Sequence, residues 1–309
     1  MAGFLTKYIN GKEAGEKLED NYIHETISRN NHAFLIGLHG NDVLSFNPRI
    51  RAKRGLSYRT AGTEMYNQEY AALFNCMLDH IMTLTGHERE TCIAYISGFL
   101  CYFTLDQNAT PYIRYRTSRL LPAKCRRSQM LEARREVETA IDCRMLESHC
   151  RMHPSQVNVD ALLYLSRKDT SSINHMLKKA VSEVYHYSLS SNELAAGIRS
   201  LRRRLEFMYP SEGLGKSVVN TLKSNIPFVK SSSSNRFDFT ADAQDFMNER
   251  KIQWYPYVGC AQIYELSFEE IFQRTQSGSL TLLGDLDGCL SWGISREELI
   301  TSVLNTRPY

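Results

Sequence analysis

The chain has 309 residues, 42% of them hydrophobic and 10% aromatic, which is ample for a sizeable core in one large domain or two and excludes a disordered or fibrous protein. Its 37 basic and 34 acidic side chains nearly cancel, so the formal charge of +3 singles out no class of partner and local clustering matters more.

The opening stretch "MAGFLTKYINGKEAGEK" becomes polar within its first ten residues and lacks the apolar centre of an export signal. Helices are expected over 3–18, 21–29 and 31–40. From Thr63 to Leu84 apolar residues recur near a 3.6 period, predicting a helix over 62–85. The longest uncharged apolar run, "TCIAYISGFLCYFTL", is fifteen residues. That falls short of the roughly 20 needed to span a bilayer, so it reads as a core helix over 87–107. Just beyond, "GFLCYFTLDQNATPYI" sets Tyr102, Asp106 and Thr110 at four-residue intervals, which places all three on one helical face. Further helices are expected over 128–150, 172–188, 191–208, 214–224, 240–250, 267–275 and 295–304. Ser-x-x-Glu start signals occur at Ser190 to Glu193, Ser267 to Glu270 and Ser295 to Glu298, where a hydroxyl can cap the first amides and the Glu can reach back. No run shows strand alternation, so the expected fold is all-α.

The polar segment "KSSSSNRF" reads as a linker. It divides a helical domain over 1–230 from a segment over 231–309 that is too small to stand alone and is expected to pack back on the same domain through additional C-terminal helices. The eight cysteines, Cys76, Cys92, Cys101, Cys125, Cys143, Cys150, Cys260 and Cys289, form no tight framework, and several sit in apolar helical contexts. A reducing, cytoplasmic setting is the expectation.

Three further features carry chemistry. "HCRMH" places His149 and His153 one turn apart, a spacing able to grip zinc, but without the glutamate of the protease motif and with Pro154 following, so a helix-end pair of histidines is expected. "RSLRRRLEFMY" sets Arg199, Arg202, Arg203 and Arg204 opposite Leu201, Leu205 and Met208, as an amphipathic surface helix would. Two stretches are strongly basic. One holds Arg49, Arg51, Lys53, Arg54 and Arg59 with no acid. The other, 114–135, holds Arg114, Arg116, Arg119, Lys124, Arg126, Arg127, Arg134 and Arg135 against Glu132 alone. Such segments are either solvated surface or anion-binding loops, for which Arg49, Arg51, Arg54, Arg114 and Arg116 are the candidates.

Five pieces in order, "AGFLTKYINGKEA", "HAFLIGLHGNDVLSF", "RTAGTEMYNQEY", "AYISGFLCYFTLDQNATPYI" and "EARREVETAID", span roughly residues 1 to 142 and together resemble the zinc-dependent phospholipase C family, whose all-helical fold is shared distantly with P1-type nucleases. The resemblance implies a phospholipase C/P1 nuclease-like bundle and a phosphodiester hydrolase with three zinc ions, held by imidazoles and carboxylates, that polarise the substrate and generate hydroxide. It places the metal site at Lys7, Asp42, Tyr66, Tyr102, Asp106, Thr110, Arg134 and Glu138. Five of these, Lys7, Tyr66, Tyr102, Thr110 and Arg134, stand where the family has His; the three carboxylates Asp42, Asp106 and Glu138 remain.

Three carboxylates facing one cavity cannot all stay ionised without cations. Lys7 and Arg134 supply positive charge, and Tyr66, Tyr102 and Thr110 supply hydroxyl donors. The expectation is therefore a degenerate, non-catalytic member with no zinc. It would bind an anionic or phosphate-bearing molecule, a phospholipid headgroup or a protein partner, nucleic acid being a further polyanion that basic loops attract. The alternative is a working phosphodiester hydrolase using Asp42, Asp106 and Glu138 with an altered metal such as magnesium, which suits hard oxygen ligands.

Overall fold

The computed structural model describes residues 2–45, 70–186, 188–209, 244–257, 260–291 and 295–305. Among these the fold is all-α. In chain order the helices are α1 (Phe4–Lys17), α2 (Tyr22–Arg29), α3 (Asn31–Gly37), α4 (Gly40–Ser45), α5 (Tyr70–Met82), α6 (Gly86–Arg119), α7 (Arg127–Cys150), α8 (Val159–Leu162), α9 (Arg167–Tyr185), α10 (Glu193–Met208), α11 (Phe268–Ser291) and α12 (Arg296–Asn305), with a 3-10 turn at Pro154–Gln156. Among the described residues the one β feature is an isolated bridge between Trp254 and Tyr264. No helix among the described residues is long and apolar enough to cross a membrane, and all eight cysteines are free thiols.

The axis of the fold is α6, which α1, α2, α3, α7, α9 and α11 all touch. Its central residues from Thr91 to Asp106 are buried without interruption, as befits a helix apolar all round. Against α3 the approach is backbone to backbone. A Cβ at Gly98 would stand 2.1 Å from the Phe34 carbonyl oxygen, and one at Gly37 2.1 Å from that of Tyr95, so this crossing exists only because both positions lack a side chain. Phe74 of α5 packs edge-on against Phe99 and Phe103 of the same helix.

The helix expected to stop at 107 continues to Arg119, straight through Pro111. Proline removes one amide and crowds the preceding turn, but the stretch beyond it is held by partners from far along the chain. Tyr112 is fully buried, its hydroxyl donates to the Phe246 carbonyl at 2.6 Å, and its ring meets Trp254 and Phe268 at 5.3 and 5.9 Å. Tertiary packing has overridden the local stop signal.

The expected helix over 240–250 is not formed where it is described. Residues 244–250 are turns in which Asp245 accepts from the amides of Glu249 and Arg250 at 2.7 and 3.0 Å. Short polar side chains that satisfy nearby amides in this way favour turns over helix. Asn248 continues the pattern, donating to the carbonyls of Ile252 and Leu266. The helix expected over 267–275 is in fact 24 residues long and lies against α6, α1 and α2. Its start follows the Ser267 signal: Ser267 Oγ accepts from the Glu270 amide at 3.3 Å, and Glu270 returns a carboxylate to the Ser267 amide at 2.8 Å. The expected helix at 214–224 and the linker at 230–237 lie outside the described residues.

Candidate functional site

The site begins with how α1 is fixed. The amides of Leu5 and Thr6 at its first turn have no partners within the helix, and both donate to the carboxylate of Asp142 on α7 at 2.9 Å. Thr6 Oγ1 adds a bond of 2.6 Å and the Tyr209 hydroxyl one of 2.8 Å. Burial pushes the Asp142 pKa up against these four donors. A turn further along, Asn10 donates to the Cys101 carbonyl and receives Gln276 of α11 on both its carbonyl and its side-chain oxygen. Held at both places, α1 turns the intervening Lys7 inward, and its side chain is 3% exposed.

Lys7 Nζ forms an ion pair with Asp42 Oδ2 and lies 5.0 Å from the centre of the Tyr102 ring. The turn into α4, the helix that delivers Asp42, depends on Gly40, which has φ +41° and whose missing Cβ would come within 2.3 Å of the Tyr102 ring. A left-handed turn and a close aromatic face both call for glycine there. Tyr102 offers Lys7 the face of its ring, a cation–π contact.

One turn on from Tyr102, Asp106 accepts a bond of 2.7 Å from Thr110 Oγ1. On α7, Arg134 Nε donates to Glu138 Oε1 at 2.8 Å, with the two side chains 30% and 22% exposed. Burial disfavours the Arg134 cation, but Glu138 first and then the charges of Asp106 and Asp42 outweigh it and hold its pKa above the ordinary value. One guanidinium thus feels all three carboxylates. Lys7, Asp42, Tyr102, Asp106, Thr110, Arg134 and Glu138 are accordingly brought to one region from four helices, α1, α4, α6 and α7. Tyr66, Arg49, Arg51 and Arg54 lie outside the described residues.

His39 is a member of this region that the sequence reading passed over. It is 3% exposed and stacks on Phe4 with ring centres 4.5 Å apart and planes 10° from parallel. Burial, and then the Lys7 charge, lower its pKa to about 3 in spite of Asp42. The imidazole is therefore neutral at any ordinary pH. Its position beside Gly40 in "GLHGND" was the available signal, because a turn that places one site residue usually places its neighbour as well.

Arg114 and Arg116, two residues apart on α6, have different fates. Arg114 is exposed. Arg116 is 9% exposed, its guanidinium donates to the Gln244 carbonyl, and it lies 5.9 Å from the Phe246 ring. It ties α6 to the segment that follows 244 and does not share the surface of Arg114. His149 and His153 do not form a pair either. The helix ends at Cys150, Arg151 turns left-handed at φ 52°, and His153 caps the Pro154–Gln156 turn. His149 instead sits between Glu13 and Glu269, with Nδ1 2.5 Å from one carboxylate and Nε2 3.0 Å from the other.

Zinc is the metal that the sequence resemblance brings into question, and the donor set does not suit it. Zinc sites are built from imidazole, thiolate and carboxylate lone pairs. A lysine ammonium and an arginine guanidinium have none to give, and here they occupy Asp42 and Glu138. Among the described residues, no three His, Cys, Asp or Glu side chains are grouped so as to hold a metal ion. Compared with known proteins, the chain matches no family model, no curated protein and no solved structure.

Proposed function

We propose that this chain is a degenerate relative of the zinc-dependent phospholipases C, one that binds instead of hydrolysing, and that its ligand is a phosphate-bearing molecule or a protein partner. A single observation carries this reading. Each of the three carboxylates is engaged by a residue standing where the resemblance expects an imidazole: Lys7 on Asp42, Thr110 on Asp106 and Arg134 on Glu138. Side chains have taken over the neutralising role that metal has in such a site, and they have done so at the ligand positions themselves. Exposed cations such as Arg114 leave the protein able to attract an anion.

The test is hydrolysis of a chromogenic phosphodiester by the purified full chain with added zinc, magnesium or manganese, run beside Asp106→Asn and accompanied by metal analysis. No metal-dependent turnover and no stoichiometric zinc are expected. Turnover that needs metal and disappears in Asp106→Asn would establish a working hydrolase with an altered site and overturn the proposal.

A further inference from the structure

A second surface, built from other residues, lies around the Trp254–Tyr264 bridge. The two residues exchange amide-to-carbonyl bonds of 2.8 Å in both directions, and Trp254 is fully buried, its indole donating to the Leu266 carbonyl at 3.0 Å. Side chains next to a bridged pair point the opposite way. Tyr255 and Ile263 therefore project outward. They are 42% and 58% exposed, and Ile252 and Tyr257 are 48% and 67% exposed. Half of the eight large hydrophobic side chains left exposed among the described residues thus fall on this one short loop, which is a cluster and not the usual scatter.

The loop is joined to a basic corner. Tyr115 of α6 donates its hydroxyl to the Gln253 carbonyl at 3.1 Å and meets the Tyr255 ring edge-on at 5.2 Å. Four residues on, and so on the same helical face, stands Arg119. The chain then passes through Lys124, Arg126 and Arg127 before α7 is under way. All four are exposed, no carboxylate occurs between Arg114 and Leu131, and none of the four enters an ion pair among the described residues. Met130, 46% exposed, lies on the same stretch.

We propose that the stretches 252–257 and 260–263 and the α6–α7 corner together dock on an anionic lipid bilayer, with Tyr255, Tyr257 and Ile263 entering the boundary between headgroups and acyl chains and Arg119, Lys124, Arg126 and Arg127 lying over the headgroups. Tyrosine suits that boundary because one end of the side chain is apolar and the other wet. Isoleucine decides between polyanions: it has no face on which a nucleic-acid base can stack, whereas it gains from leaving water for an acyl layer. Cations beside the tip complement a negatively charged leaflet, each strengthening attachment about fivefold at moderate salt. None of these residues belongs to the carboxylate site, so the surface stands or falls independently of the function proposed above.

The experiment is flotation of the full chain with phosphatidylcholine vesicles, with and without phosphatidylserine, across a salt series. Two variants accompany it, Tyr257→Ser/Ile263→Ser and Arg119→Gln/Lys124→Gln/Arg126→Gln, all at exposed positions, and thermal melts verify their folding. Flotation is expected with phosphatidylserine and not without it. The tip variant should lose about tenfold, the scale of withholding one large aliphatic side chain from an apolar phase. The basic variant should lose about fivefold per charge removed and flatten the salt dependence. Absence of flotation on phosphatidylserine vesicles at low salt would overturn the proposal. So would unchanged flotation of the tip variant, or equally tight, tip-independent retention on a single-stranded RNA, since either would reduce the surface to unspecific attraction between opposite charges.

Discussion

Helix α1 serves two polar regions, and they handle charge in opposite ways. Toward one side it sends Lys7 into a buried pair with Asp42, next to a histidine, His39, that burial and the lysine keep neutral. Toward the other it sends Glu13, which is 20% exposed and shares with Glu269 a histidine, His149, whose pKa Glu269 first and then Glu13 hold above its ordinary value against burial. The difference lies in the solvent. Where water is excluded, a charge requires its partner; where water reaches, a partner is only one of several ways to be solvated.

The sharpest way to break the comparison is to remove the cation from the buried side. Lys7→Met should strand Asp42 and cost about 3–5 kcal/mol, the scale of an uncompensated buried charge. Adding Asp42→Asn should return most of that loss, because an amide has no charge to neutralise. Urea denaturation of the three proteins measures both steps. A single variant as stable as the parent would show that the carboxylate had found water, and the two regions would then be alike.

Next in size is the acid response of His39. With a folded pKa near 3 and an ordinary value of 6.5, the unfolded chain takes up a proton below 6.5 that the folded protein refuses. Stability is therefore lost as pH falls through that window, by about 1.4 kcal/mol per pH unit. In His39→Gln the same stretch of the curve should be flatter by that slope, whatever the substitution does to absolute stability. Denaturant midpoints across the acid range read it directly.

How far these regions could be read from the sequence differs as well. Tyr102, Asp106 and Thr110 were legible through spacing, because residues at i and i+4 on a helix share a face whatever else the fold does, whereas Lys7, Asp42, Arg134 and Glu138 were singled out only by the family resemblance. The Ser267 start and the apolar centre of α6 were legible for the same local reason. What could not be read came from distance along the chain. The passage of α6 through Pro111 depends on Phe246, Trp254 and Phe268. The fixing of α1 depends on Asp142, a residue within a recognised stretch but with nothing local to mark it as a cap for another helix. His149 showed a zinc-like spacing to His153, yet its partners are Glu13 and Glu269, 136 and 120 residues away. Turn-forming Asp245 and Asn248 defeated a helical pattern through side-chain bonds that periodicity does not register.

The smallest effect sharpens the comparison most, because it has the opposite sign. Both ring nitrogens of His149 face carboxylate oxygens, so both must carry protons for the two bonds to form. The bond to Glu269 raises its pKa, burial opposes this, and Glu13 adds to the rise, while Lys17 lies 3.0 Å from Glu13 as a competing cation. A raised histidine contributes stability that is fully present below its ordinary 6.5 and is lost as pH climbs through the folded value; Glu269, lowered from 4.5, keeps its share above 4.5 and loses it as pH falls through its own folded value. The clasp is thus complete between 4.5 and 6.5, the window in which His39 is costing stability. Because Glu269 is 37% exposed, solvent screening holds the contribution to about 1 kcal/mol or less. His149→Gln should flatten the stability curve above 6.5 and, through Glu269, below 4.5, and leave the slope between those values alone, while His39→Gln should flatten that middle slope and leave the alkaline flank unchanged. Their double variant should show both changes added, since His39 lies against Phe4, Lys7 and Asp42 whereas His149 lies against Glu13, Glu269 and Phe272. A single substitution that flattened both the slope between 4.5 and 6.5 and the alkaline flank would mean that the two ends of α1 are coupled, and the division between a dry end and a wet end would have to be given up.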